Sequence, residues 1–256
     1  MLYGAIIGDI AGSKYEFNNI KYKPDTILDN DCFFTDDTVM TIAIANALIT
    51  GNTYGDEMRA WGQAYPGKGY GGNFQMWLDN PSMGAYNSFG NGSAMRVSPV
   101  AYVAENILEV KQMAKLTALP THNHPEGIKG ARAVAALIYL AKTGYSKERM
   151  IDYVETVFGY EIKSCNEIRP TYEFNETCQD TVPQAISAFI DSDNFEDCIK
   201  LAISLGGDSD TLAAIAGSIA EAYYGIPRRL TDKCEQYLPV EMLKVLDEFN
   251  KRFMEV

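Results

Sequence analysis

The chain has 256 residues, 46% of them hydrophobic, which is enough for one domain with an ample core; residues 1–256 read as that single domain. A formal net charge of −12 argues against nonspecific binding to nucleic-acid phosphates, and it means that any anionic ligand needs a local device to bind. No window reaches the roughly 18 apolar residues of a membrane span, no basic-then-apolar leader opens the chain, and the five cysteines are scattered without a Cys-x-x-Cys pair, so the expectation is a reduced, cytoplasmic monomer with no membrane contact.

Residues 2–12 carry Gly4, Gly8 and Gly12 at a spacing of four. This predicts a helix with one bare face, able to meet another helix almost backbone to backbone. Each glycine costs about 1 kcal/mol in an isolated helix, so packing must hold this one. Glu16 falls one step further along the stripe. Spacing favours a surface-loop carboxylate; the sharper alternative is an acid held over the site to which the stripe leads. Residues 21–31 are polar, contain Pro24, and read as a loop. Thr35-Asp36-Asp37-Thr38 then opens an apolar helix, with Thr35 as its N-cap. Adjacent aspartates repel unless something positive lies near them.

Residues 51–54 read as a turn and 56–65 as a short helix. Residues 66–73 are too glycine-dense for regular structure. They suit either a backbone approaching a ligand or a flexible surface loop. Residues 80–90 form another loop, running into Ser88-Phe89-Gly90-Asn91-Gly92-Ser93-Ala94-Met95-Arg96. A helical pattern begins near Ser93 and is disturbed by Pro99. Free N–H groups at a glycine-rich helix start bind anions, the kind of device a pyrophosphate needs on an acidic protein. Phe89 could stack on a base or fill a core. Arg96 reads as a phosphate ligand or, more readily, as a structural residue.

Residues 106–119 form an amphipathic helix stopped by Pro120. Thr121-His122-Asn123-His124 follows, then a helix over 126–141. A histidine just before a helix is more often a cap or a surface residue than a catalyst, and His124 reads as incidental. Residues 147–158 are helical, 159–181 polar and irregular, and 182–191 helical. Asn194 caps the next helix. That helix leads into Leu205-Gly206-Gly207-Asp208-Ser209-Asp210-Thr211, with Asp208 the natural N-cap of a helix rich in small residues. Such a helix packs closely, so its carboxylates point inward, where burial without a cation is very costly. Gly225-Ile226-Pro227 stops it, and residues 230–255 form the closing helices. No strand of useful length is found, so the class is all-α.

Two Asp/Asp/Thr clusters, each at a helix start, suggest one site assembled from both. Hard oxygen donors select Mg²⁺, Mn²⁺ or Ca²⁺ over zinc, and two histidines are too few for a His-rich zinc site.

Thr35-Asp36-Asp37-Thr38 and Gly206-Gly207-Asp208-Ser209-Asp210-Thr211 resemble the paired metal motifs of the ADP-ribosylglycohydrolase family. Three further segments match in order: Gly8 to Phe17, Gly90 to Arg96, and Thr121-His122 before Gly130-Ala131. The resemblance extends to about Gly225. It implies a compact orthogonal helical fold and two divalent cations, Mg²⁺ or Mn²⁺, on Thr35, Asp36, Asp37, Asp208, Asp210 and Thr211. Glu16, Asp36, Asp37 and Asp210 would be catalytic, with Glu16 an acid/base or a gate. ADP-ribose would be held by Ser88, Phe89 (stacking on adenine), Gly90, Asn91, Gly92, Ser93, Met95 and His122. The reaction implied is cleavage of the glycosidic bond between ADP-ribose and a modified acceptor through an oxocarbenium-like state. Ser13-Lys14-Tyr15 departs from many relatives, which bears on the leaving group. A two-metal phosphohydrolase would use the same carboxylates. An inactive ADP-ribose-binding module would lose the metal ligands, whereas all six are present.

Overall fold

A computed structural model describes residues 1–254; Glu255, the last residue of the expected closing helices, and Val256 lie outside the described residues. The central pair is α1 (Tyr3–Gly12) and α13 (Ser209–Tyr224). Between them the chain forms α2 (Asp36–Thr50), α3 (Tyr54–Ala64), α4 (Gly72–Asp79), α5 (Gly92–Met95), α6 (Val100–Val103), α7 (Ile107–Ala118), α8 (Pro125–Lys142), α9 (Lys147–Phe158), α10 (Cys165–Ile168), α11 (Cys178–Asp191) and α12 (Phe195–Leu205). It closes with α14 (Arg228–Cys234) and α15 (Val240–Phe253). The protein is all-α, and among the described residues the sole pairing of β type is an isolated bridge between Gly90 and Thr177.

α13 runs through the middle, packed by α1, α8, α11 and α12. Every residue from Ser209 to Glu221 is buried. The glycine stripe of α1 makes this possible. A Cβ on Gly4 would lie 2.3 Å from Gly217 O, one on Gly8 2.1 Å from Ala213 O, and one on Gly12 2.4 Å from the Asp210 Cα. The two helices therefore run antiparallel with their backbones in contact. Glu221 of α13 closes one end of the pair by accepting from Gly4 N at 2.9 Å. The other end delivers Asp210 beside Gly12. Ile6, Ile7 and Ile10 cover the remaining faces of α1 with buried apolar surface.

Local signals set most boundaries. The Thr35 hydroxyl accepts from Asp37 N at 3.4 Å, and Asn194 Oδ1 accepts from Asp197 N at 3.0 Å. Gly225, at φ 73°, ends α13. Two expectations are corrected. The glycine-dense stretch 66–73 is not all loop, because α4 starts at Gly72. The first N–H groups of a helix need no intrahelical partner. Phe74, Trp77 and Leu78, at i, i+3 and i+4, then give α4 a buried face. Likewise α11 starts at Cys178, within the stretch read as irregular, and contains Pro183. Its stripe of Cys178, Val182, Ala185, Ile186 and Phe189 is buried, and that packing overrides the one backbone hydrogen bond Pro183 removes. The short α10 also falls in that stretch.

Candidate active site

One cavity of about 200 Å³ lies where α2, α4, α5 and α13 converge. Its acidic end is built by the helix starts. Carboxylate oxygens of Glu16, Asp208 and Asp210 lie within 4.8 Å of one another. Glu16, separate from both clusters in sequence, is therefore part of the same acidic group. Asp208 occupies the N-cap position of α13, but its side chain caps nothing. It is turned into the cavity and accepts from Asn91 Nδ2 at 2.7 Å. Thr211 Oγ1 donates to Asp37 Oδ1 at 3.4 Å, which links α13 to α2. The other Asp37 oxygen, Oδ2, is buried without a hydrogen-bond partner.

Behind this group lies Asp9, fully buried in α1. It accepts from Thr35 N at 3.0 Å, from Thr35 Oγ1 at 2.6 Å, and from Thr38 N at 3.1 Å. The Thr38 hydroxyl donates to it as well. A carboxylate from one helix thus satisfies the first turn of another. In front, the loop before α4 leans over Asp36: Asp36 N donates to Lys68 O at 2.8 Å, and a Cβ on Gly69 would lie 3.4 Å from Asp36 Oδ1.

Burial pushes Asp36, Asp37 and Asp210 well above the usual carboxylate range, and neighbouring charges add to it, Asp208 on all three and Asp9 on the two in α2. Half-burial, then the charges of Asp208, Asp9 and Glu176, push Glu16 up to about 7. Arg96 is the one Lys or Arg among the described lining residues, and its Nη2 is spent on Thr117 O and Thr121 Oγ1. Five carboxylates with an orphaned buried oxygen and, among the described residues, no cationic side chain paired to them form a donor set that could hold hard divalent cations.

The opposite end is made by the loop entering α5. It is fixed to the start of α11 by two main-chain hydrogen bonds, Asn91 N to Glu176 O at 2.7 Å and Cys178 N to Phe89 O at 2.9 Å, which together make the Gly90–Thr177 bridge. Ser88, Gly90, Asn91, Gly92, Met95, Arg96 and His122 line the cavity here. His122 is buried, and burial, then the Arg96 charge, pushes it well below the ordinary histidine value, so it is neutral. Thr35, Phe89 and Ser93 do not line the cavity. The Thr35 hydroxyl donates to Asp9. The Ser93 hydroxyl is turned away onto Gly127 O at 2.7 Å. Phe89 is 46% exposed and packs on His124, ring centroids 5.3 Å apart. His124 itself caps α8, accepting from Glu126 N at 3.1 Å.

Sequence reading assigned no role to Asp9, Tyr86 or Glu176. Asp9 had a signal: an acid between Ile7 and Ile10 in an otherwise apolar helix. Tyr86 lines the cavity and packs against His122, ring centroids 6.2 Å apart. Glu176 also lines it, in the stretch read as polar and irregular. Neither carries a local signal.

The structure of an ADP-ribosylglycohydrolase-related protein complex matches 99% of the chain and 96% of its own, with a TM-score of 0.72 at 24% identity; at that identity the likeness is one of fold. ADP-ribosylhydrolase ARH3 of Homo sapiens is 26% identical over 94% of the chain and 90% of its own length. ADP-ribosylarginine hydrolase Tri1 of Pseudomonas putida is 27% identical over 88% of the chain and 70% of its own length. The profile of the family described as ADP-ribosylglycohydrolase matches residues 1–256, and the chain belongs to that family, as a hydrolase acting on glycosyl compounds.

Proposed function

We propose that the protein cleaves the glycosidic bond between ADP-ribose and a modified acceptor and releases free ADP-ribose, with two divalent cations, Mg²⁺ or Mn²⁺, as cofactors. The observation that carries this reading is one cavity with an uncompensated carboxylate group at one end and a glycine-rich loop at the other. The names of the human and Pseudomonas relatives support it.

Asp36, Asp37, Asp208, Asp210 and Thr211 would hold the cations, with Thr35 as sixth ligand. The Thr35 hydroxyl has two lone pairs, one of them taken by Asp37 N. When bound, the cations orient a ribose diol and offset developing negative charge. Asn91 holds Asp208 in place, and Asp9 holds Thr35 and the first turn of α2. Glu16, with a value near 7, can give a proton to the leaving group and take one from water. Ser88, Gly90, Asn91, Gly92, Met95 and His122 would contact ADP-ribose. Phe89 would meet adenine only at the exposed rim, beside His124, and Ser93 would act by its backbone.

The protein is taken to act as a cytoplasmic monomer on ADP-ribosylated macromolecules; among the described residues no helix is long and apolar enough to cross a membrane. The test is product identity on arginine-, serine-, poly- and nucleic-acid-linked ADP-ribose. Free ADP-ribose, lost in EDTA and restored by Mg²⁺ or Mn²⁺, is expected. AMP or inorganic phosphate would point instead to a phosphohydrolase, and binding without turnover to an ADP-ribose-binding module.

A further inference from the structure

The loop end of the cavity contains a hydrogen-bond chain in which one direction gives every hydroxyl proton a partner. Arg96 is 1% exposed. Its Nη2 donates to Thr117 O at 3.2 Å and to Thr121 Oγ1 at 2.9 Å. A guanidinium only donates, so the Thr121 hydroxyl accepts from it. The same hydroxyl lies 2.7 Å from His122 Nδ1. Thr121 is fully buried, and His122 Nδ1 is the acceptor within reach of its proton. The hydroxyl therefore donates to Nδ1. A neutral imidazole carries one proton, which is then left on Nε2.

Nε2 faces the cavity at Gly92. A Cβ built on Gly92 would lie 3.1 Å from His122 Nε2 and 3.9 Å from Arg96 Nη1. The missing side chain leaves a gap on which the two nitrogens converge. Burial and the adjacent guanidinium keep the ring neutral, so without the chain either tautomer would be open to it.

We propose that Thr121, itself oriented by Arg96, is a positioning residue that locks His122 as the Nε2–H tautomer, and that this N–H donates to an anionic oxygen of the bound ligand over Gly92. The identification of that oxygen as a diphosphate oxygen of ADP-ribose rests on the function proposed above; the tautomer lock does not. A neutral donor suits this position because it adds direction without the cost of a second buried cation beside Arg96.

Thr121→Val removes the hydroxyl at nearly constant volume, and Thr121→Ser restores it. The chain has two histidines, so ¹⁵N histidine spectra of ligand-free protein are readily assigned with a His124→Asn control. In the wild-type chain His122 is expected to show a protonated Nε2 and an unprotonated Nδ1. Thr121→Val should lose that pattern and weaken ADP-ribose binding about tenfold by titration calorimetry, and Thr121→Ser should regain both. A protonated Nδ1 in the wild-type protein would overturn the proposal. So would an unchanged spectrum and affinity in Thr121→Val, or equal losses in Thr121→Val and Thr121→Ser, which would mark a packing role. Wild-type protein with the expected tautomer but no affinity for ADP-ribose would refute the functional reading alone.

Discussion

The two ends of the cavity are built in opposite ways. The acidic end rests on regular helices locked by backbone contact: α1 against α13 through three glycines, and α2 fastened to α1 through Asp9. The loop end hangs on short segments tied together by a few main-chain hydrogen bonds. Burial pushes the side chains of both ends toward neutrality, the aspartates up and His122 down. Only the acidic end leaves a buried oxygen, Asp37 Oδ2, without a donor. At the loop end the chain from Arg96 through Thr121 to His122 pairs its members, and the atom left over, Arg96 Nε, is a donor. The rigid end thus leaves an acceptor unpaired and suits cations, whereas the softer end leaves a donor, Arg96 Nε, unpaired and suits an anion.

Four perturbations should separate the ends. The largest effect is expected from Glu16→Gln, which keeps size but cannot carry the proton. Its kcat should fall by roughly 10²–10⁴-fold, while ADP-ribose still binds the loop end. Because Glu16 sits with Asp208 and Asp210, Mn²⁺ affinity should be measured on the same variant. Unchanged kcat and KM would return Glu16 to a bystander. Asp9→Asn should come next. It touches no ligand but holds the first turn of α2, and loss of such support typically costs about 10–100-fold in metal affinity. A Mn²⁺ titration equal to wild type would show that α2 holds its own geometry.

Glycine replacements address the frame itself. Gly4→Ala and Gly12→Ala each force a Cβ into backbone at 2.3–2.4 Å, and each should cost about 3 kcal/mol by urea unfolding. Only Gly12→Ala pushes on Asp210, so only it should also weaken metal binding. Equal metal affinity in the two variants would uncouple the stripe from the site.

The smallest expected effect is on pH-dependent stability without metal. Asp36, Asp37, Asp210 and Glu16 have folded-state values above the unfolded carboxylate range of about 4. They favour the fold when protonated, so their contribution is complete below pH 4. It is lost as pH rises through the raised values, for Glu16 around 7. In EDTA the Tm should therefore fall between pH 5 and pH 8, by at least about 2–4 °C, and Mg²⁺ should remove the fall at pH 8. A Tm that rises over that interval in EDTA would contradict the raised carboxylates.

The acidic end was the more legible in sequence, because its signals are local. An N-cap threonine, paired aspartates and a stripe of glycines at a spacing of four can be read within a dozen residues. What the stripe packs against could not be read, since Gly12 meets Asp210 across almost the whole chain. Asp208 illustrates the limit: the sequence suggests a cap, but the side chain turns inward because Asn91, 117 positions away, donates to it. The loop end was legible as a motif, Gly90-Asn91-Gly92, but not as a device. Thr121, Tyr86 and Glu176 gain their places through contacts between distant segments, and the inward apolar face of α4 outweighed the glycines at its start.

The claim that the acidic end is a two-cation site is tested most directly by equilibrium titration of metal-free protein with Mn²⁺, read by electron paramagnetic resonance. Two Mn²⁺ per chain are expected for the wild type, displaced by Mg²⁺, with at least one lost in Asp36→Asn and in Asp210→Asn. The absence of saturable Mn²⁺ binding, or a stoichiometry unchanged in both variants, would contradict it.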